Sequence, residues 1–238
     1  MGLFGGRKTI FVDSDILVIG GGMAGCGATY ESRYWGRDLK IVCVEKANIE
    51  RSGAVAQGLY AINCYMGMQW GENQPEDHVR YARNDLMGLV REDLGYDIAR
   101  HVDSSVHKFE EWGLPIMKDP ETGRYQREGK WQIMIHGESY KPIVAEAARK
   151  AATAVYNRIM VTHLLMDKSK KNRVAGASGS TCVRVITMCS AGRPSSLPPV
   201  VRRTSLSRVR WARAWAGPGM RPGAAVQPTL CRSRSAPR

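Results

Sequence analysis

Asp15-Ile16-Leu17-Val18-Ile19-Gly20-Gly21-Gly22-Met23-Ala24-Gly25-Cys26 is the stretch on which the fold turns. Ile16 to Ile19 is a short continuous apolar run, the pattern of a strand buried on both faces of a parallel sheet. Gly20 to Gly25 satisfy G-x-G-x-x-G, and Cys26 to Trp35 reads as a helix. Gly36-Arg37-Asp38 then turns the chain into a second apolar strand, Leu39 to Val44, which ends on Glu45. A strand–helix–strand unit is complete within about thirty residues. The predicted fold class is α/β, a Rossmann-type parallel sheet with helical insertions.

Each position of the motif has a mechanical role in holding a dinucleotide. Gly20 allows the tight turn, Gly22 lets backbone approach a pyrophosphate, and Gly25 lets helix and strand pack closely. The helix start at Met23 and Ala24 supplies unpaired N–H groups and a positive dipole end. Glu45, twenty residues past Gly25, can accept hydrogen bonds from both ribose hydroxyls of an adenosine, with Lys46 beside it. NAD and FAD share this fingerprint. A second small-residue segment follows, Arg51-Ser52-Gly53-Ala54-Val55-Ala56-Gln57-Gly58. It is either an ordinary loop or the close backbone approach that a flavin needs. The candidate cofactor-binding residues are thus Gly20, Gly22, Met23, Ala24, Gly25, Glu45, Lys46, Ser52, Gly53, Ala54, Gln57 and Gly58.

Further along, helices are predicted from Pro75 to about Val90 and from Tyr96 to Trp112, the second stopping at Gly113. Residues 120–129 are polar and loop-like. Ser139 or a neighbour caps a helix that runs through Pro142 to Ala154. Arg158 to Asp167 reads as a strand, and Arg173-Val174-Ala175 starts a return strand that breaks off. Cys26, Cys43 and Cys64 are scattered and no C-x-x-C occurs, so neither a zinc site nor a cluster is expected. His78, His101 and His107 have no metal-site spacing, and Trp112 and Trp131 read as core aromatics. No run of about 18 apolar residues predicts membrane insertion. The first residues show no signal-peptide or myristoylation pattern, so a cytoplasmic setting is expected.

Ile16 to Ala28, Glu45-Lys46-Ala47 and Ser52 to Gly58 resemble the FAD domain of the fumarate reductase and succinate dehydrogenase flavoproteins. Two longer strings, Gly58 to Tyr65 and Arg127 to Pro142, resemble more specifically the alpha subunits of dissimilatory adenylylsulfate reductases. The resemblance covers Met1 to about Ala177, the leading part of such a subunit. It implies an FAD-dependent oxidoreductase that interconverts adenosine 5′-phosphosulfate with AMP and sulfite. It also implies electrons from a beta subunit that carries the iron–sulfur clusters. Fumarate reductase-type relatives commonly carry a histidine in the Ser52–Gly53 loop for covalent flavin attachment. None stands here, which agrees with noncovalent FAD. Asn63, which closes the second flavin-facing segment, is the candidate catalytic residue; capping a turn is its alternative role. Glu128 and Glu138 are either pocket carboxylates or surface ones, and His136 is a structural candidate.

The chain has 238 residues and a net charge of +13, but the excess is not spread evenly. Residues 1–167 sum to −2 and residues 168–238 to +15, with no acid after Asp167. All 11 basic residues after Ala177 are arginine. A basic nucleic-acid-binding arm is one reading of that tail, and a disordered or non-native segment at 178–238 is another. The genetic code supports the second. Permitted codons for Ser180–Ser190, read one nucleotide earlier, give FNVRTGNYHVF, and those for Gly192–Arg202 give GQTVIVAAGGA. Both are strand-like and continue the resemblance, so a single-nucleotide deletion near Ala177 is expected. The domain of residues 1–177 would then be incomplete, and this polypeptide poorly stable and inactive.

Overall fold

The computed structural model describes residues 10–85, 87–170, 172–181, 185–188 and 200–203, the last two stretches as backbone only. The elements in chain order are β1 (Ile16–Ile19), α1 (Met23–Trp35), β2 (Ile41–Val44), β3 (Ala61–Asn63), α2 (Pro75–Asp85) and α3 (Glu92–Glu111). They continue with β4 (Arg127–Glu128), β5 (Gln132–Met134), α4 (Gly137–Ala151), β6 (Ala154–Tyr156) and β7 (Met160–Met166). The last are β8 (Val174–Ser180), β9 (Val185–Met188) and β10 (Val200–Arg203).

A parallel sheet in the order β10-β1-β2-β6 forms the centre, as the two apolar runs predicted. All four residues of β2 are buried, as are Leu17 and Val18 of β1. Alternation sends neighbours to opposite faces. Val18 and Cys43 join the core beneath α1 and α4, with Cys26, Ala28, Tyr140, Val144, Ala145 and Ala148. Leu17, Val42 and Val44 face the other way, onto Ile159 and Ala177. Among the described residues, that second face packs on the antiparallel sheet β7-β8-β9 and not on helices. The return strand runs through Ser180 instead of breaking off after Ala175, because its small residues pair with both β7 and β9. Gly179 is one of the residues that makes this possible: a Cβ there would lie 2.6 Å from the Met160 carbonyl oxygen.

Several boundaries differ from the sequence reading for local reasons. α3 begins at Glu92, where Glu92 and Asp93 complement the dipole of its first turn, and it ends before Gly113 at φ +95°. α4 starts two residues before Ser139 and stops at Ala151, because Thr153 joins the sheet. Its N–H donates to the Ile41 carbonyl, and its hydroxyl accepts from the Ile41 N–H. The polar stretch at 120–129 contains the short β4, which belongs to a second small sheet, β3-β5-β4. Of the expected tail, the described parts after Ala177 are the end of β8, β9 and β10. The rest of that expected tail lies outside the described residues. Among the described residues, no helix is long and apolar enough to cross a membrane.

Cys43 at the centre of β2 has its thiol pushed up to about 12 by burial. A folded pKa above the usual 9 means that the native state holds the proton longer than the unfolded chain. The stabilisation is complete below pH 9 and is lost as pH rises toward 12, up to about 4 kcal/mol. Chemical denaturation followed between pH 8 and 11 should therefore show little change up to about pH 9 and a growing loss of stability above it. Cys43→Ala should reduce that slope without abolishing it, because burial also raises the Cys26 and Cys64 thiols, Cys64 to about 11; an unchanged slope in the variant would assign it to other groups.

Candidate dinucleotide site

The register of the parallel sheet builds the site. Ile16 pairs with Ile41 and Ile19 with Val44, so Gly20 and Glu45 emerge at one level from the carboxyl ends of adjacent strands. The Gly20 N–H donates to the Val44 carbonyl at 2.7 Å, and Gly20 turns at φ +98°. Gly22 caps α1 with no side-chain hydrogen bond, and the first turn carries no acid. Its N–H groups are therefore not satisfied by a capping side chain. Gly25 is buried, and the Thr29 hydroxyl donates to its carbonyl at 2.8 Å within the same helix.

Glu45 is nearly fully buried. One carboxylate oxygen accepts from the Gly21 N–H and the other from the Ala47 N–H. A carboxylate has about four acceptor positions, so each oxygen keeps one for a further donor. Glu45 both shapes the loop and remains able to take a hydroxyl. Lys46 beside it is exposed.

The second small-residue segment closes over the first. The Ser52 hydroxyl donates to the Gly21 carbonyl at 3.2 Å. Gly53, at φ +84°, comes so near that a Cβ on it would lie 3.1 Å from the Gly22 Cα. A 3-10 turn follows at Ala54–Gln57 and ends on Gly58 in the left-handed region. Ala54, Gln57 and Gly58 are exposed. The structure thus brings Gly20, Gly22, Met23, Ala24, Gly25, Glu45, Ser52 and Gly53 into one cradle, with Ala54, Gln57 and Gly58 as its open continuation. A cradle of backbone N–H groups walled by a second glycine, with an acid at its side, fits a dinucleotide.

Asn63 lies elsewhere, at the end of β3 opposite Gln132. It is exposed, and its side-chain oxygen accepts the Cys64 N–H at 2.8 Å, supporting Cys64 at φ +66°. Glu128, Glu138 and His136 are also exposed, and His136 contacts the Ser139 hydroxyl. His107 contacts the Tyr65 hydroxyl at 3.0 Å, and Trp131 stacks near Tyr81, so both are packing residues. Among the described residues, no group of three His, Cys, Asp or Glu is arranged to hold a metal. A groove of about 560 Å³ runs between the C-terminal halves of α1, α3 and α4, lined by Tyr30, Arg33, Trp112 and Lys150. It sits at the opposite ends of α1 and α4 from the glycine loop and contains none of the predicted cofactor-binding residues.

Sequence reasoning missed two residues that shape the site. Lys141 of α4 is buried and donates to the Gly21 carbonyl at 2.8 Å from a position 120 residues away. Gly137, the first residue of α4, packs directly on the Leu59 backbone. Both stood in the quoted Arg127–Pro142 string, but nothing local in it marks either contact.

Comparison with known proteins identifies the family. The model of a family described as an FAD-binding domain matches residues 15–188. Adenylylsulfate reductase subunit alpha of Megalodesulfovibrio gigas is 50% identical over 190 residues, covering 69% of this chain and 28% of that protein. The solved adenylylsulfate reductase of Archaeoglobus fulgidus is 53% identical with a TM-score of 0.72, over 77% of this chain and 30% of its own. An adenosine-5-phosphosulfate reductase solved as a covalent sulfite adduct matches equally well, at 53% identity and TM-score 0.72 over 78% of this chain and 30% of its own. E. coli quinol fumarate reductase, at 18% identity and TM-score 0.61 over 76% of this chain and 32% of its own, shares the fold alone. The chain spans less than a third of the length of the two named reductases.

Proposed function

Because residues 15–188 place this chain in the FAD-binding-domain family, we propose that it is the dinucleotide-binding portion of an adenylylsulfate reductase alpha subunit. The observation that carries the reading is the pair of glycine segments, Gly20–Gly25 and Ser52–Gly58, closed on each other at Gly22 and Gly53 beside buried Glu45. The 50% identity to a named subunit supports the choice of reaction. The substrates are then adenosine 5′-phosphosulfate and two electrons, and the products AMP and sulfite. Bound FAD supplies the two-electron chemistry at sulfur.

The residues of this chain bind and orient. The first-turn N–H groups of α1 take the diphosphate, Glu45 takes the ribose hydroxyls, and the Ser52–Gly58 segment admits the flavin end at close range. Asn63, at the end of β3 and outside the glycine cradle, is in this reading the candidate for contact with the reacting group. The partner is a beta subunit with iron–sulfur clusters, and the setting is cytoplasmic. A fumarate reductase-type activity is the second reading, disfavoured by the absence of histidine from Ser52–Gly58.

The reading extends to residues 178–238, which it takes as a shifted reading frame. β10 lies parallel to β1, in a position where a buried strand should be a run of apolar residues. Val200-Val201-Arg202-Arg203 is not such a run, whereas the shifted codons just before it give TVIVA. Nucleotide sequence across Ala177 tests this directly, and an intact reading frame there would refute it. On its own the 238-residue chain is proposed to have no turnover.

The cofactor assignment is tested on the purified chain. Incubated with FAD and freed of excess, it should retain flavin at one per chain and release all of it on acid precipitation. Flavin that stays with the precipitate would show covalent attachment. A chain that retains none would overturn the assignment.

A further inference from the structure

Lys141 presents a problem that the fold alone does not solve. As a residue it is only 1% exposed. It donates to the carbonyls of Gly21 and Ile49 and approaches the Cys26 sulfur at 3.5 Å. Among the described residues it forms no ion pair within 4 Å. The buried Glu45 carboxylate stands across the Gly21 residue and is itself engaged by two N–H groups, so the ammonium's direct partners are two carbonyls and a thiol, which offset its desolvation poorly.

The position of the charge suggests what completes the balance. Lys141 lies on the inner side of the Gly20–Gly25 loop, gripping the Gly21 carbonyl while Glu45 accepts the Gly21 N–H. One peptide residue is thereby clamped between a buried cation and a buried carboxylate. The other side of that loop carries the uncapped start of α1, with Gly22, Met23 and Ala24 partly open to solvent. Neither Gly20–Gly25 nor Gly53–Gly58 contains a basic side chain. Lys141 is therefore the positive charge set beneath a loop built from neutral residues.

We infer that Lys141 is the positioning residue and buried counter-charge for the diphosphate of the dinucleotide. It does not touch the ligand. It holds the Gly21 carbonyl inward, so that the N–H groups beyond it face outward, and its charge acts through a medium of low dielectric where screening by salt is weak. This inference rests on the dinucleotide reading above and adds to it a group from the fourth helix that no glycine motif contains.

The test separates charge from architecture by the choice of ligand. Binding of FAD, ADP and adenosine to the 238-residue chain is measured by fluorescence, for the parent chain and for Lys141→Met and Lys141→Gln. The first two ligands carry a diphosphate and adenosine carries none. Lys141→Met should weaken FAD and ADP by about tenfold or more while adenosine changes by less than about twofold. Lys141→Gln keeps one N–H donor for the Gly21 carbonyl without the charge, and should lose the same preference for ADP over adenosine. If the methionine variant does not fold, the glutamine variant decides alone. Equal weakening of all three ligands would make Lys141 a purely structural residue, and unchanged binding would remove it from the site; either overturns the inference. A parent chain that binds no FAD would instead overturn the dinucleotide reading itself.

Discussion

Gly137→Ala should lower the melting temperature of this chain by roughly 10 °C and displace the segment that closes the cradle. A Cβ on Gly137 would stand 1.4 Å from the Leu59 carbonyl oxygen and 2.3 Å from its carbonyl carbon. Those are backbone atoms, so no rotamer change relieves the overlap. The neighbouring Tyr60 carbonyl accepts the Ile135 N–H at 2.9 Å, which ties this backbone to the start of α4. Either residues 58–60 or the helix must move. Overpacking of this kind costs about 1–3 kcal/mol when side chains can adjust and more when they cannot. For a domain of this size each kcal/mol is worth roughly 2–4 °C. Thermal unfolding by circular dichroism reads the effect, with Ser139→Ala as a control on the same helical turn. A shift of under about 2 °C for Gly137→Ala would show that the two backbones are not held together as described.

The need for glycine at that position is invisible in the sequence, and the reason is general to this molecule. What could be read were features set by neighbours in the chain. The β1–glycine loop–α1–β2 unit was legible because strands buried on both faces keep every residue apolar, and Glu45 was legible because the strand lengths fix where it emerges. What could not be read depends on contacts across long separations. β3 and β5 each bury one residue, Ile62 and Ile133, and a single apolar position has no period. They exist because the two strands pair with each other. Lys141 reads as an ordinary solvated lysine on a helix until α4 is docked on α1, which turns it inward beneath Gly21. The cover on the second sheet face was missed for a related reason. The β7–β8 hairpin itself was legible as a strand and its return, but β7 is mostly exposed and lacks clean alternation, so nothing in it marked which face packs on the parallel sheet.

The same logic separates two glycines that sequence reasoning treated alike. Gly53 and Gly58 bracket the 3-10 turn and have nearly equal φ, +84° and +86°. Their surroundings differ. A Cβ at Gly58 would meet nothing within 4 Å, and its ψ of 56° lies in the left-handed region, which other residues enter for about 1–2 kcal/mol. Gly53 has ψ 169°, a conformation essentially restricted to glycine and costing about 1–3 kcal/mol for any other residue. Its Cβ would also press on the Gly22 Cα and stand 3.9 Å from the Met23 nitrogen, the first N–H of α1. Alanine at Gly58 strains the turn but leaves the cradle open. Alanine at Gly53 must spread the two glycine segments at the point where a diphosphate would lie, or narrow the gap between them. Both variants should lose a few degrees in melting temperature, Gly53→Ala somewhat more. Their affinities for FAD should diverge much further. Gly58→Ala should stay within about threefold of the parent, and Gly53→Ala should fall by about a hundredfold, near 2.7 kcal/mol, because strain and obstruction add at one place. Flavin fluorescence quenching on the two variants side by side measures this. Equal losses in both would mean that the approach of Gly53 to Gly22 is a feature of the loop and not the wall of the site.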